Sequence, residues 1–206
     1  DVAITAQRSS RPRSMGSLYW QLNDAWPSIS WASIDYYGNK KAFHYKLSEM
    51  YAPILLGMDE KENGKYNIWV SNDLQRDIKG RIRVLVEDMK GNQMFAFSEM
   101  VDIKANDCYR LPENIKINVS KKKRTECYAR IILMEEDTVL SERLHFFAYP
   151  KDLKLVKTEL EPKVTFADGK YTLEFNSKVF VKDVFVSTTE AGEFSRNFFD
   201  VLPNTP

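Results

Sequence analysis

The residues best equipped for chemistry crowd into positions 15–45, MGSLYWQLNDAWPSISWASIDYYGNKKAFHY. Three tryptophans (Trp20, Trp26, Trp31) and two tyrosines (Tyr36, Tyr37) are interleaved there with Gln21, Asn23, Asp24, Ser28, Ser30, Ser33 and Asp35. Flat rings beside amides, hydroxyls and carboxylates suit a pyranose: its apolar C–H face stacks on aromatic planes, and its hydroxyl rim is bridged by polar side chains. The same composition describes a core edge packed with aromatics. Composition alone favours that second reading, because clustered tryptophans are mostly buried. Locally, the short apolar run 17–20 follows Gly16 and breaks into the loop formers Asn23, Asp24 and Pro27, as a strand ending in a polar, aromatic loop would.

The string GSLYWQLNDAWPSISWASIDYYGNKKAFHYKL, continued to Tyr51-Ala52-Pro53, resembles the end of the catalytic barrel in beta-mannosidases of glycoside hydrolase family 2; related exo-glucosaminidases share the layout. The terminal FSRNFFDVLP, residues 194–203, resembles more weakly the closing strand of these enzymes. The resemblance implies that residues 1–8 end the seventh barrel helix, 9–14 form a basic connection, 16–21 are the eighth strand and 40–50 the eighth helix. Barrel enzymes keep their sites at the carboxyl ends of the strands. Trp20 is then expected to be the platform on which the cleaved sugar stacks, with a barrel-core role as its rival, and the loop 23–26, Trp26 included, would point toward sugar. Asn23 and Asp24 would contact hydroxyls or brace the loop.

A retaining glycosidase needs two carboxylates about 5–5.5 Å apart, one as acid and base and the other as nucleophile. The resemblance places both at the ends of the fourth and seventh barrel strands, ahead of this chain. Asp24 and Asp35 lie in the aromatic loop, but the motif gives neither a catalytic role. The expectation is no catalytic residue here and no hydrolysis by this chain alone. The implied partners are a beta-mannoside glycan in a longer parent and the remainder of its barrel; no cofactor is implied. An exported or lysosomal parent fits the family, and the lack of an apolar leader does not bear on this.

The elements that must position such a loop follow from composition and pattern. At 206 residues and 43% hydrophobic, the chain can bury a substantial core in one or two domains. No apolar run approaches the roughly 20 residues of a membrane-spanning helix. Thirty basic against 29 acidic residues leave a net charge of +1, which calls for neither nucleic acid nor an anionic membrane. The basic cluster 121–124 reads as a solvated turn. Cys108 and Cys127 are too few for a disulfide scaffold, no Cys/His spacing suits zinc, and free thiols are favoured over a bridge. His44 and His145, the two histidines, read as packing or surface residues.

Ala52 before Pro53 should stop the helix and mark a domain boundary. Beyond it the period changes to two. Strands are expected over 54–58, 66–70, 81–87, 93–101, 114–119, 126–134 and 142–149, with Tyr66, Ile68 and Val70 sharing one face and Ile82, Val84 and Val86 another. Roughly seven strands in about 100 residues is the size of an immunoglobulin-like sandwich. Residues 150–162 read as a charged, proline-bounded linker. After them, strands over 163–166, 171–176 and 179–187, with Asp168-Gly169 as a hairpin turn, make a piece too small to stand alone. Phe194, Phe198 and Phe199 are expected to dock on their own sheet or on the preceding domain, with an exposed partner-binding edge as the rival.

The fold class expected is therefore mainly β: immunoglobulin-like sandwiches at 53–150 and, partial or small, at 151–206, preceded by the last strand and helix of a (β/α)8 barrel at 1–52. Two other readings stay open. One is a free-standing carbohydrate-binding or adhesion module gripping glycan with Tyr36, Tyr37 or Trp69, and the other is a portion of an exo-glucosaminidase. Severed from its barrel, the aromatic segment would pack on the first sandwich or mediate self-association.

Overall fold

The computed structural model describes residues 2–189 and 192–205. Among the described residues two α-helices, α1 (Val2–Ser9) and α2 (Ala42–Met50), precede twelve strands: β1 (Ile54–Glu60), β2 (Lys65–Asn72), β3 (Ile78–Asp88), β4 (Gln93–Ile103), β5 (Asp107–Arg110), β6 (Ile115–Lys116), β7 (Cys127–Glu135), β8 (Thr138–Phe146), β9 (Lys163–Ala167), β10 (Lys170–Glu174), β11 (Val181–Val184) and β12 (Phe199–Val201). One sheet runs β1-β2-β5 with β6 also on β2, a second runs β4-β3-β7-β8, and β9-β10 and β11-β12 are separate pairs. The chain forms two compact units. One holds the residues up to Val84 with 97–118 and 130–145; the other holds 85–96, 119–129 and the residues from Phe146 onward.

In the first unit the expected alternation is realised. Along β3, Ile78, Gly80, Ile82 and Val84 are buried while Lys79, Arg81 and Arg83 face water. Leu56, Ile68, Val70, Ile103, Ile131 and Leu133 join them out of contact with solvent. Each such side chain contributes about 1.5–3 kcal/mol. Trp69, on the other face of β2, is also buried. It sits opposite Gly57 in the β1–β2 register, and a Cβ on Gly57 would stand 2.0 Å from its ring. Its indole Nε1 donates to Asp59 Oδ1 at 3.0 Å, and Arg110 donates to Asp59 Oδ2 at 3.1 Å. The reading of Trp69 as an exposed gripping residue is thereby corrected, since a glycine slot and a long-range ion pair enclose the ring.

The helical segment belongs to this unit. Ile4, Leu47 and Met50 cluster, with Tyr19 and Phe43 against them. Arg8 donates to Met50 O at 2.6 Å and Ala52 O at 2.7 Å, satisfying carbonyls that the end of α2 leaves without helical partners. The same guanidinium meets Asp73 at 2.9 Å. Arg110 Nη2 donates to Ser9 O at 2.9 Å and caps α1. The expected strand over 16–21 does not form. A strand needs neighbours to take its backbone N–H and C=O groups, and residues 16–21 pair with no strand among the described residues.

The second unit is built on Phe180 and Tyr128, both fully buried with rings 4.7 Å apart. Phe146 packs on Phe180 at 5.7 Å, and Tyr128 Oη donates to Glu87 at 2.9 Å. Phe180 N also donates to Met89 O at 2.8 Å. The carboxyl-terminal segment thus leans on the ends of β3 and β7, as its size requires, but through Phe180. Phe199 meets Phe175 and Phe198 meets Phe185, at 5.6 and 5.0 Å. Asn197, buried in FSRNFFDVLP, accepts from Val186 N and donates to Val186 O, standing in for a strand partner. Both cysteines are free, and burial pushes the Cys127 thiol up to about 11.

Gly57→Ala drives a methyl group into the Trp69 ring and is expected to destabilise the chain by about 1–3 kcal/mol, the usual cost of overpacking. A thermal melt followed by circular dichroism checks this: the midpoint should fall by several degrees, and an unchanged midpoint refutes the slot.

Candidate functional site

The aromatic segment is a loop with a polar skeleton and its rings outside. Ile34 organises the skeleton: Ile34 N donates to Leu22 O at 2.9 Å, Asp24 N donates to Ile34 O at 3.1 Å, and Asn23 and Lys40 both bridge to Ile34. Ser33, fully buried, donates its hydroxyl to Leu22 O at 2.9 Å and shares a 3.0 Å hydrogen bond with Tyr19 Oη. Tyr19 rests edge-on against Phe43 of α2, with centroids 5.5 Å apart. The helix therefore holds the loop through Tyr19, and also through Lys41 N, which donates to Ser33 O at 2.9 Å, and His44 Nδ1, 3.4 Å from Ser33 Oγ.

Asp24 is the electrostatic centre of the skeleton. It is 5% exposed, accepts hydrogen bonds from Ser30 Oγ and, at 3.1 Å, from Lys41 Nζ, and so has both oxygens engaged. The Ser30 hydroxyl, reinforced by Lys41 against the opposing effect of burial, holds the Asp24 carboxyl below the usual aspartate range. Asp35 is lowered too, chiefly by the Asn39 side chain at 2.9 Å, in the turn that ends at Gly38 with φ +87°. Neither carboxylate is poised as an acid at neutral pH.

Outside this skeleton the rings stand in water. Trp20 is 80% exposed, Trp26 68% and Trp31 86%, with Tyr36, Tyr37, Leu18 and Ile29 also exposed. The Trp20–Gln21 peptide is cis. Within this chain, then, these aromatics do not line a core. Of the four residues expected to meet sugar, Trp20, Asn23 and Trp26 are exposed and Asp24 is enclosed. Asn23 turns its Nδ2 to Asp24 O at 3.3 Å. The pattern did not single out Lys41, whose partner Asp24 lies 17 residues away, and it counted Ser33 only among the loop's polar residues, not as the tie to Leu22, 11 residues away. Among the described residues no group of three His, Cys, Asp or Glu is placed to hold a metal. A surface depression lined by Glu60, Lys61, Glu62, Asn63, Lys65 and Asn114 has charges of both signs and no ring on which a sugar would stack.

Two domain families match the chain: the Mannosidase Ig/CBM-like domain over residues 64–152 and an Ig-fold domain over 155–206. Beta-mannosidase A of Aspergillus oryzae is 27% identical over 93% of the chain, and the beta-mannosidase of Rattus norvegicus is 27% identical over 90%. The chain spans 23% and 22% of the length of these relatives. The crystal structure of the beta-D-mannosidase from Dictyoglomus thermophilum superposes on 98% of the chain with a TM-score of 0.83 at 25% identity, covering 24% of that protein. An exo-chitosanase from Amycolatopsis orientalis shares the fold over 97% of the chain and 28% of its own, with a TM-score of 0.66 at 11% identity. The fold is thus mainly β with immunoglobulin-like domains of the mannosidase type. The chain carries these two domains and is similar to the carboxyl-terminal portion of beta-mannosidases of glycoside hydrolase family 2.

A depressed aspartate stabilises the folded state above its unfolded pKa and loses that contribution as pH falls through the lower folded value. Tryptophan fluorescence is expected to hold steady from neutral pH down through the ordinary aspartate range and to shift only at more acid pH. The shift should shrink in Asp24→Asn and vanish in Asp24→Asn/Asp35→Asn. A titration identical in all three proteins contradicts the bracing role.

Proposed function

We propose that this chain is the supporting portion of a retaining exo-glycosidase that removes terminal non-reducing beta-D-mannose residues, and that it contributes a sugar-stacking surface without the catalytic carboxylates. The observation that carries this reading is a loop braced internally by Asp24, Ser33 and Lys41 that holds Trp20 and Trp26 in water. Leaving rings that size in water is unfavourable, and a sugar stacked on them would cover them. In this reading Trp20 is the platform, Trp26 and Asn23 border the sugar, and Asp24 acts through the loop's shape. Residues up to 52 form the last strand-and-helix unit of the barrel. The stretch 16–21, which lies in no strand here, takes up strand pairing beside the rest of that barrel, its principal partner. Residues 53–150 and 151–206 are the two sandwiches.

The carbohydrate-binding alternative keeps one supporting observation, the exposed pair Tyr36 and Tyr37, whose rings meet edge-on at 5.2 Å. The exo-glucosaminidase alternative is kept by the likeness in fold to the exo-chitosanase.

Hydrolysis of nitrophenyl mannoside and nitrophenyl glucosaminide separates these readings. The 206-residue chain is expected to turn over neither, and turnover by it overturns the proposal. The longer polypeptide of the same gene is expected to prefer the mannoside; preference for the glucosaminide selects the alternative. In that longer enzyme Trp20→Ala should lower kcat/KM for the mannoside about 10- to 100-fold, equivalent to roughly 1.4–2.8 kcal/mol of transition-state binding. An unchanged kcat/KM removes Trp20 from the site. Glycan binding by the 206-residue chain that is lost in Tyr36→Ala/Tyr37→Ala favours the binding module instead.

A further inference from the structure

The hairpin β9–β10 is built to be covered. Its two-residue turn places Asp168 at φ +51° and Gly169 at φ +73°, the backbone that a tight hairpin of right-handed twist demands. Register then sets Val164 opposite Leu173 and Phe166 opposite Tyr171, so four apolar side chains share one face. The other face carries Lys163, Thr165, Ala167, Lys170, Thr172 and Glu174. The apolar face is in water: Val164 is 55% exposed, Phe166 61% and Tyr171 71%, and the two rings lie 4.7 Å apart. Two-stranded ribbons alone are marginal in water, and a hairpin with a dry-type face and no covering layer is an interaction surface.

We propose that this face docks on a part of the same, longer polypeptide outside these 206 residues, through an uncharged, apolar surface; the proposal rests on the reading of the chain as the carboxyl-terminal portion of a longer beta-mannosidase. Area selects this occupant over a second copy. Aromatic side chains bury at most about 150–250 Å² each, and because the two rings and Val164 are only partly exposed and Leu173 is half-buried, the patch is on the order of 400–500 Å². A stable interface between separate molecules needs roughly 800 Å² per partner. A partner on the same polypeptide needs less, because the link supplies a high effective concentration without a bimolecular entropy cost. The curated relatives supply such a partner in length, since this chain spans 22–23% of those named above. Charge does not favour a polyelectrolyte or an anionic surface, because the apolar face itself carries no charge and the opposite face pairs Lys163 with Glu174 at 3.8 Å.

Hydrogen exchange read by mass spectrometry on residues 163–174 tests this in the 206-residue chain and in the longer polypeptide of the same gene. The expected result is at least tenfold slower exchange in the longer polypeptide, lost in Phe166→Ser/Tyr171→Ser while β2 keeps its protection. Equal exchange in both proteins overturns the proposal, and so does protection in the 206-residue chain that grows with its concentration, which identifies a second copy. Nitrophenyl mannoside hydrolysis is measured on the same longer polypeptide. Hydrolysis without hairpin protection refutes the docking alone, whereas protection without hydrolysis supports the docking and refutes the substrate reading.

Discussion

Two guanidinium groups carry the junction on which the arrangement of the first unit depends. Arg8 reaches from α1 to the carbonyls at the end of α2 and to Asp73 beyond β2, while Arg110 reaches from β5 to the end of α1. Arg8 suits this task because a planar fork can serve several acceptors at once and stays charged when half-buried. The acceptors are groups that two helix ends would otherwise leave unsatisfied. Asp73 is in turn held by its own N–H, which donates to Pro53 O at 2.8 Å, so the turn after α2 and the end of β2 are closed on each other. Arg11 adds a second contact to Asp73 at 2.9 Å.

That junction explains how a loop with so little regular structure holds an ordered set of exposed rings. The helices give Tyr19 a wall in Phe43, Tyr19 meets Ser33, and Ser33 ties the loop's two arms together. Asp24 and Lys41 close the outer turn. The polar groups of Asp24 and Ser33 point inward, while the rings of Trp20, Trp26 and Trp31 point out. Most folded chains invert that arrangement, and its reversal here is what makes the loop a surface for something else to complete.

Much of the sandwich was legible in the sequence because it depends on local period. Ile68 and Val70, and Ile82 and Val84, fall inside as alternation places them, and Asp168-Gly169 turns the hairpin it announces. The helix stops at Met50, just ahead of Pro53. What failed to show depends on partners distant in sequence. Trp69 sits on the face opposite Ile68 and Val70, and only the cross-strand glycine and the Asp59–Arg110 pair reveal that it is buried. β5, four residues long and half-exposed, has too short a pattern to stand out. Phe180 outweighs the later phenylalanines because of Tyr128, more than fifty positions earlier. Residues 16–21 show the converse failure: an apolar run read as a strand stays unpaired without neighbouring strands. In the loop, the residue types alone favoured a packed aromatic core, and both the exposure of the rings and the enclosure of Asp24 by Ser30 and Lys41 came only with the fold.

The central claim is that the helical segment and the first sandwich form one cooperative body through Arg8, so that the aromatic loop is presented by the sandwich itself. Native-state hydrogen exchange of the 206-residue chain tests this most directly. Amides of α2 are expected to open with the same free energy as those of β2, and Arg8→Ala should uncouple them, lowering protection in α2 while sparing β2. Exchange in α2 that is already far faster than in β2, and indifferent to Arg8→Ala, would show two independent parts and contradict the account.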